Sequence, residues 1–69
     1  MAQESDENVT AMQLAGFVLN PTANGRLRWT HKILGLTYVR QTYMTDLQWA
    51  AALHGARNRA ALCNSSHRG

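Results

Sequence analysis

Arg26-Leu27-Arg28-Trp29-Thr30-His31-Lys32-Ile33-Leu34-Gly35-Leu36-Thr37-Tyr38-Val39-Arg40-Gln41-Thr42-Tyr43 is the stretch that decides between a sheet and a bundle of helices. From Arg26 to Ile33 it alternates, with Arg26, Arg28, Thr30 and Lys32 in one set and Leu27, Trp29, His31 and Ile33 in the other. Successive side chains of a strand point to opposite faces, so this is a half-buried strand with one basic face. Leu36 to Tyr43 is again rich in β-branched and aromatic residues, and only Leu34-Gly35 separates the two runs, a length suited to a two-residue hairpin turn. That register sets Ile33 against Leu36, His31 against Tyr38, and Trp29 against Arg40, the last as a cation–π pair.

Downstream, Thr45-Asp46-Leu47-Gln48 satisfies the capping-box pattern and opens an alanine-rich helix. One side of it carries Leu47, Ala50, Ala51, His54 and Asn58, another Trp49, Leu53, Ala56 and Ala60. Gly55 marks a kink, a close contact or an early end. Upstream, two readings compete. Thr10-Ala11-Met12-Gln13 is a second capping box, which gives a short helix ending at Asn20-Pro21; alternatively Gly16 to Leu19 is a strand joined to Arg26 by a long hairpin through Asn24-Gly25.

The fold class expected is α+β, a small antiparallel β-hairpin with room for a third strand, packed on a C-terminal helix. The alternative is an all-α three-helix domain. Leu27, Trp29 and Ile33 are expected to pack on Leu47, Ala50 and Leu53. Residues 1–8 read as an acidic flexible start, 9–63 as one small globular domain and 64–69 as a flexible polar tail. Sixty-nine residues leave no room for a second domain, and a chain of this size buries only about 60% of its unfolded surface.

Charge is unevenly placed. Glu4, Asp6 and Glu7 open the chain, whereas all seven Lys and Arg residues lie at or beyond Arg26, where Asp46 is the one carboxylate. Such a segment attracts polyanions. The acidic start is expected to fold back on the basic face as an internal competitor. No apolar run is long enough for a signal peptide or a membrane span, so no membrane partner is expected. The lone Cys63 cannot close an intramolecular disulfide, which favours a reducing compartment and a cytoplasmic location.

Catalytic chemistry finds little support. His31, His54 and His67 lack the spacing of a zinc site, Cys63 has no recognisable base, and the five glycines stand singly instead of forming a phosphate cradle. Asp46 is explained by its place in the first turn of a capped helix. No enzyme activity, cofactor or metal is expected.

Basic residues interleaved with aromatics remain. Arg26, Arg28, Trp29, Lys32 and Arg40, with Arg57 and Arg59 on the C-terminal helix, are the candidate nucleic-acid-binding residues, because Arg and Lys neutralise phosphates and exposed aromatics stack on unpaired bases. Ile33-Leu34-Gly35-Leu36-Thr37 resembles the turn of a helix-turn-helix, but His31 stands where that motif has a small residue and Gln41 where it has an apolar one. The order of elements, an antiparallel sheet followed by a helix, is similar to plant AP2-type domains and integrase arm-binding domains. That resemblance implies a sheet lying in a DNA groove, with Arg26, Arg28 and Lys32 on phosphate or bases. It rests on layout, with no motif of either family present.

The leading expectation is therefore a non-enzymatic nucleic-acid-binding accessory or regulatory factor, with DNA or RNA as partner. An acidic protein surface is the other partner that the basic face would suit, and the alternative function is a protein-interaction module, an inhibitor or adaptor of a larger protein, phage- or plasmid-encoded, that acts through an apolar face and forms a homodimer. Its anchors would be Phe17, Trp49 and Leu53, with Met12, Leu14 and Met44 nearby.

Overall fold

Three short strands and two helices make up the computed structural model, which describes residues 4–66. The order is α1 (Asp6–Leu14), β1 (Phe17–Leu19), β2 (Arg28–His31), β3 (Thr37–Val39) and α2 (Asp46–Ser66). The strands form an antiparallel meander in the order β1-β2-β3, so the fold is α+β and the all-α alternative is set aside.

Alternation along β2 builds the core. Leu27, Trp29 and His31 are buried, while Arg28 and Thr30 between them are half-exposed and Lys32 is exposed. On this inner face Trp29 and Leu27 meet Phe17 of β1, Met12 of α1, and Trp49, Leu53, Ala56 and Ala60 of α2. Removing each large apolar group from water contributes about 1.5–3 kcal/mol. Ile33, Leu47 and Ala50, expected in this core, are exposed instead. The helix turns its Trp49-Leu53-Ala56-Ala60 side to the sheet, since that side holds the aromatic bulk.

The amino-terminal third contains both elements that competed there. Ser5, not Thr10, caps α1: its hydroxyl accepts from the Asn8 amide at 3.3 Å. The helix stops at Leu14, short of Pro21, because Gly16 at φ +99° turns the chain into β1. A Cβ there would lie 2.7 Å from His31 Nε2, so only glycine lets the turn pass over the imidazole. The hairpin from β1 to β2 closes at Gly25, whose amide donates to the Thr22 carbonyl at 2.9 Å and whose φ is +83°.

The β2–β3 hairpin is longer than the two residues expected. His31 N–H donates to the Leu36 carbonyl at 2.8 Å, leaving Lys32 to Gly35 as the connection. His31 shapes it from within: Nδ1 accepts from the Ile33 and Leu34 amides at 3.1 and 3.0 Å, and Nε2 donates to the Ala15 carbonyl at 3.0 Å. Two amides pointing at Nδ1 leave no room for a proton there, which fixes the Nε2–H tautomer. The register accordingly moves by two residues. Trp29 lies opposite Tyr38, not Arg40, and the expected cation–π pair gives way to an Arg40–Leu27 pairing closed by a 2.8 Å bond from the Arg40 amide.

The capping box of α2 forms as read, with Gln48 N–H on Thr45 Oγ1 at 3.1 Å and Thr45 N–H on Gln48 Oε1 at 3.0 Å. Gly55 neither ends nor interrupts the helix. Residues 64–66 continue it, whereas 64–69 was read as a tail; 67–69, His67 included, lie outside the described residues.

The acidic start was read as flexible, and Glu4 within it accepts three side-chain hydrogen bonds. Its Oε2 accepts from Trp29 Nε1 at 2.8 Å and from Trp49 Nε1 at 2.9 Å, and its Oε1 accepts from Asn8 Nδ2 at 2.9 Å. One carboxylate thus ties the N-terminus, the central strand and α2 together. The segment does fold back, but onto the helical side of the sheet, because two buried indole N–H groups need an acceptor there.

Candidate nucleic-acid interface

Both helices pack on the inner face, so the outer face of the sheet carries no helix. Alternation and the observed pairing determine its composition. Val18, Thr30 and Thr37 form one row across the three strands, and Arg28 and Val39 lie in the next. The ladder continues beyond β1, with the Asn20 amide on the Arg28 carbonyl at 2.7 Å and the Thr22 amide on the Arg26 carbonyl at 2.9 Å. At the other end Lys32 N–H donates to the Gly16 carbonyl at 3.1 Å. Arg28 and Thr30 therefore share one side of the central strand, about 6.6 Å apart, and the ladder bonds at Arg26 and Lys32 extend the row past both of its ends.

Arg28 is held in place. Its Nε donates to the Asn20 carbonyl at 2.9 Å, which leaves the two terminal nitrogens of the guanidinium available. Its surroundings are short β-branched side chains, Thr30, Val39, Thr37 and Val18. No carboxylate lies between Glu7 and Asp46 in the chain, so the face is cationic with no acid among its own residues.

The remaining candidates go elsewhere. Arg40, opposite inward-facing Leu27, projects to the helical side at the end of the sheet, donating to the Met44 carbonyl at 3.2 Å and to Asp46 Oδ1 at 2.8 Å. There it lines an open cleft of about 400 Å³ with Arg26, Leu27, Thr42, Met44 and Asp46. Arg57 lies on α2, with Nη1 against Met12 Sδ at 3.7 Å, and Arg59 is exposed on the same helix. Both belong to the layer opposite the basic sheet face.

Trp29, read as a stacking residue, is fully buried with its N–H on Glu4. Phe17, Trp49 and Leu53, read as interface anchors, are all core. Phe17 instead packs edge-on against His31 and Tyr38, with ring centroids 5.0 and 6.1 Å away. Among the described residues no group of three His, Cys, Asp or Glu side chains could hold a metal ion, and no helix is long and apolar enough to cross a membrane.

Sequence reasoning missed the neighbours of the basic row. Val18, Asn20, Thr37 and Val39 are unremarkable singly; their common signal was the side-chain parity of the flanking strands, which became readable only with the register. Comparison with protein-family models, with curated proteins and with solved structures finds no match to this chain.

Proposed function

We propose that this chain is a non-enzymatic nucleic-acid-binding protein that uses the outer face of its sheet. One observation carries the reading: the outward side chains of the central strand are Arg28 and Thr30, with Arg26 and Lys32 next in the same alternation at its two ends, on a face free of carboxylates and with both helices packed behind it. Three strands about 4.8 Å apart span roughly 10 Å, within the width of a B-DNA major groove of about 12 Å. Short Val and Thr side chains keep the face low and suit thymine methyls, while the guanidinium of Arg28 matches a guanine edge. Arg26 and Lys32, at either end of the row, suit phosphates.

Duplex DNA is favoured over other nucleic acids. Trp29 and Tyr38 face inward, so the sheet presents no stacking platform for unpaired bases. The deep, narrow major groove of an RNA duplex does not admit a sheet. A role as a protein-interaction module has to be built without Phe17, Trp49 and Leu53, which are spent on the core.

The test is fluorescence anisotropy with a short DNA duplex between about 50 and 200 mM salt. Each neutralised phosphate contributes about 0.9 to the log–log salt slope, so Arg28→Ala with Lys32→Ala should shallow it by up to about 1.8. Binding that ignores salt, or a slope unchanged in the double variant, removes the proposal. The same measurement on an RNA duplex should give weaker binding.

A further inference from the structure

We propose that the cleft between the β1–β2 turn and the start of α2 is a phosphate subsite, and that Asp46 is its resident competitor. The proposal rests on the nucleic-acid reading and commits to a backbone phosphate of the strand that lies on the outer face. Arg40 is one of the two cations that line the cleft. Its side chain is only 20% exposed and its Nη2 is oriented by the Met44 carbonyl, whereas the Asp46 carboxylate that it pairs with is 99% exposed. The two partners are therefore unequal: the guanidinium is fixed in the wall, and the carboxylate is a solvated group that returns to water without being desolvated.

A phosphate oxygen can take the place of Asp46 Oδ1 and keep the Arg40 donor satisfied. Exposed ion pairs are weak, so the exchange costs little. Arg26 adds a second cation at the rim, Leu27 and Met44 form the apolar part, and no other carboxylate lines the cleft. Continuity with the proposed interface follows from the ladder. Arg40 pairs with Leu27, the neighbour of Arg26, so a backbone leaving the basic row at Arg26 reaches the cleft next.

Asp46→Asn removes the competing charge while the Thr45–Gln48 capping box stays in place. Duplex affinity at low salt should rise about two- to fivefold, with a salt slope steeper by about 0.9. Asp6→Asn makes the same change in net charge away from the cleft and serves as the control. In an Arg40→Gln background the Asp46→Asn gain should vanish, as coupling through one shared partner requires. The proposal is overturned if Asp46→Asn gains no more than Asp6→Asn, or if its gain survives in Arg40→Gln. The Asp6 comparison stands even if Arg40→Gln fails to fold. Should the wild-type protein bind no duplex at all, the nucleic-acid reading fails first. Pyrophosphate titration of Asp46→Asn then decides the subsite: amide shifts confined to Gly25, Leu27, Gln41 and Thr42 support a phosphate site, and their absence overturns it.

Discussion

Glu4 is the residue on which the most structure depends for its size. Its carboxylate is the acceptor for both indole N–H groups of the chain, one on β2 and one on α2. Truncation to Ala leaves two donors without that acceptor, and an unsatisfied buried donor costs about 1–3 kcal/mol. Thermal unfolding of Glu4→Ala should show a midpoint lower by at least about 4–8 °C per kcal/mol lost, and an unchanged midpoint would mean that water replaces the carboxylate. Gly16 is the second such position. Ala there combines a left-handed backbone penalty of about 1–2 kcal/mol with a contact 2.7 Å from His31 Nε2. Gly16→Ala should destabilise by more than about 2 kcal/mol in urea titration, and a loss under 0.5 kcal/mol would show that the imidazole moves aside. Neither role was legible in the sequence. The partners of Glu4 are 25 and 45 residues away, and nothing local distinguishes Gly16 from the other single glycines.

Elements were legible where the signal is local. The alternation of Arg26 to Ile33 located the central strand, which forms over its middle, Arg28–His31, while Ile33 falls in the turn and is exposed; the Thr45 capping box started α2 at the right residue. Its worth can be measured: Thr45→Ala should cost about 1 kcal/mol by calorimetry, and a neutral result would assign the helix start to the Arg40–Asp46 pair. The hairpin register was not legible. A two-residue turn at Leu34-Gly35 satisfies the pattern equally well, and the longer connection forms because the His31 side chain accepts two backbone amides inside it. A shift of two preserves which side chains face inward, so the basic face survived the error while the cross-strand partners of Trp29 and Arg40 did not. Aromatic residues misled for a related reason: Trp29 and Phe17 have the chemistry of a binding surface, yet a chain this short needs them inside.

Across the whole molecule, carboxylates are confined to one layer while cations occur in both, with Arg40, Arg57 and Arg59 on the helical side. Glu4, Asp6 and Glu7 lie at the start of α1 and Asp46 at the start of α2, so the described carboxylates belong to the helical side, while the central strand offers Arg26, Arg28 and Lys32 to the other. Acids and bases therefore nearly offset each other on the helical side, and the sheet side is left with unopposed cations, a field that would steer a polyanion to that side. The sequence could reveal the imbalance but not its direction, because which layer each helix joins depends on packing between distant residues.

The shared acceptor of the two indoles has an optical consequence. The chain has two tryptophans, and both donate to one carboxylate, so their ultraviolet emission is a label-free gauge of whether residue 4 is docked. Because Trp29 also forms the underside of the strand that carries Arg28, the same emission can be followed while the opposite face is titrated.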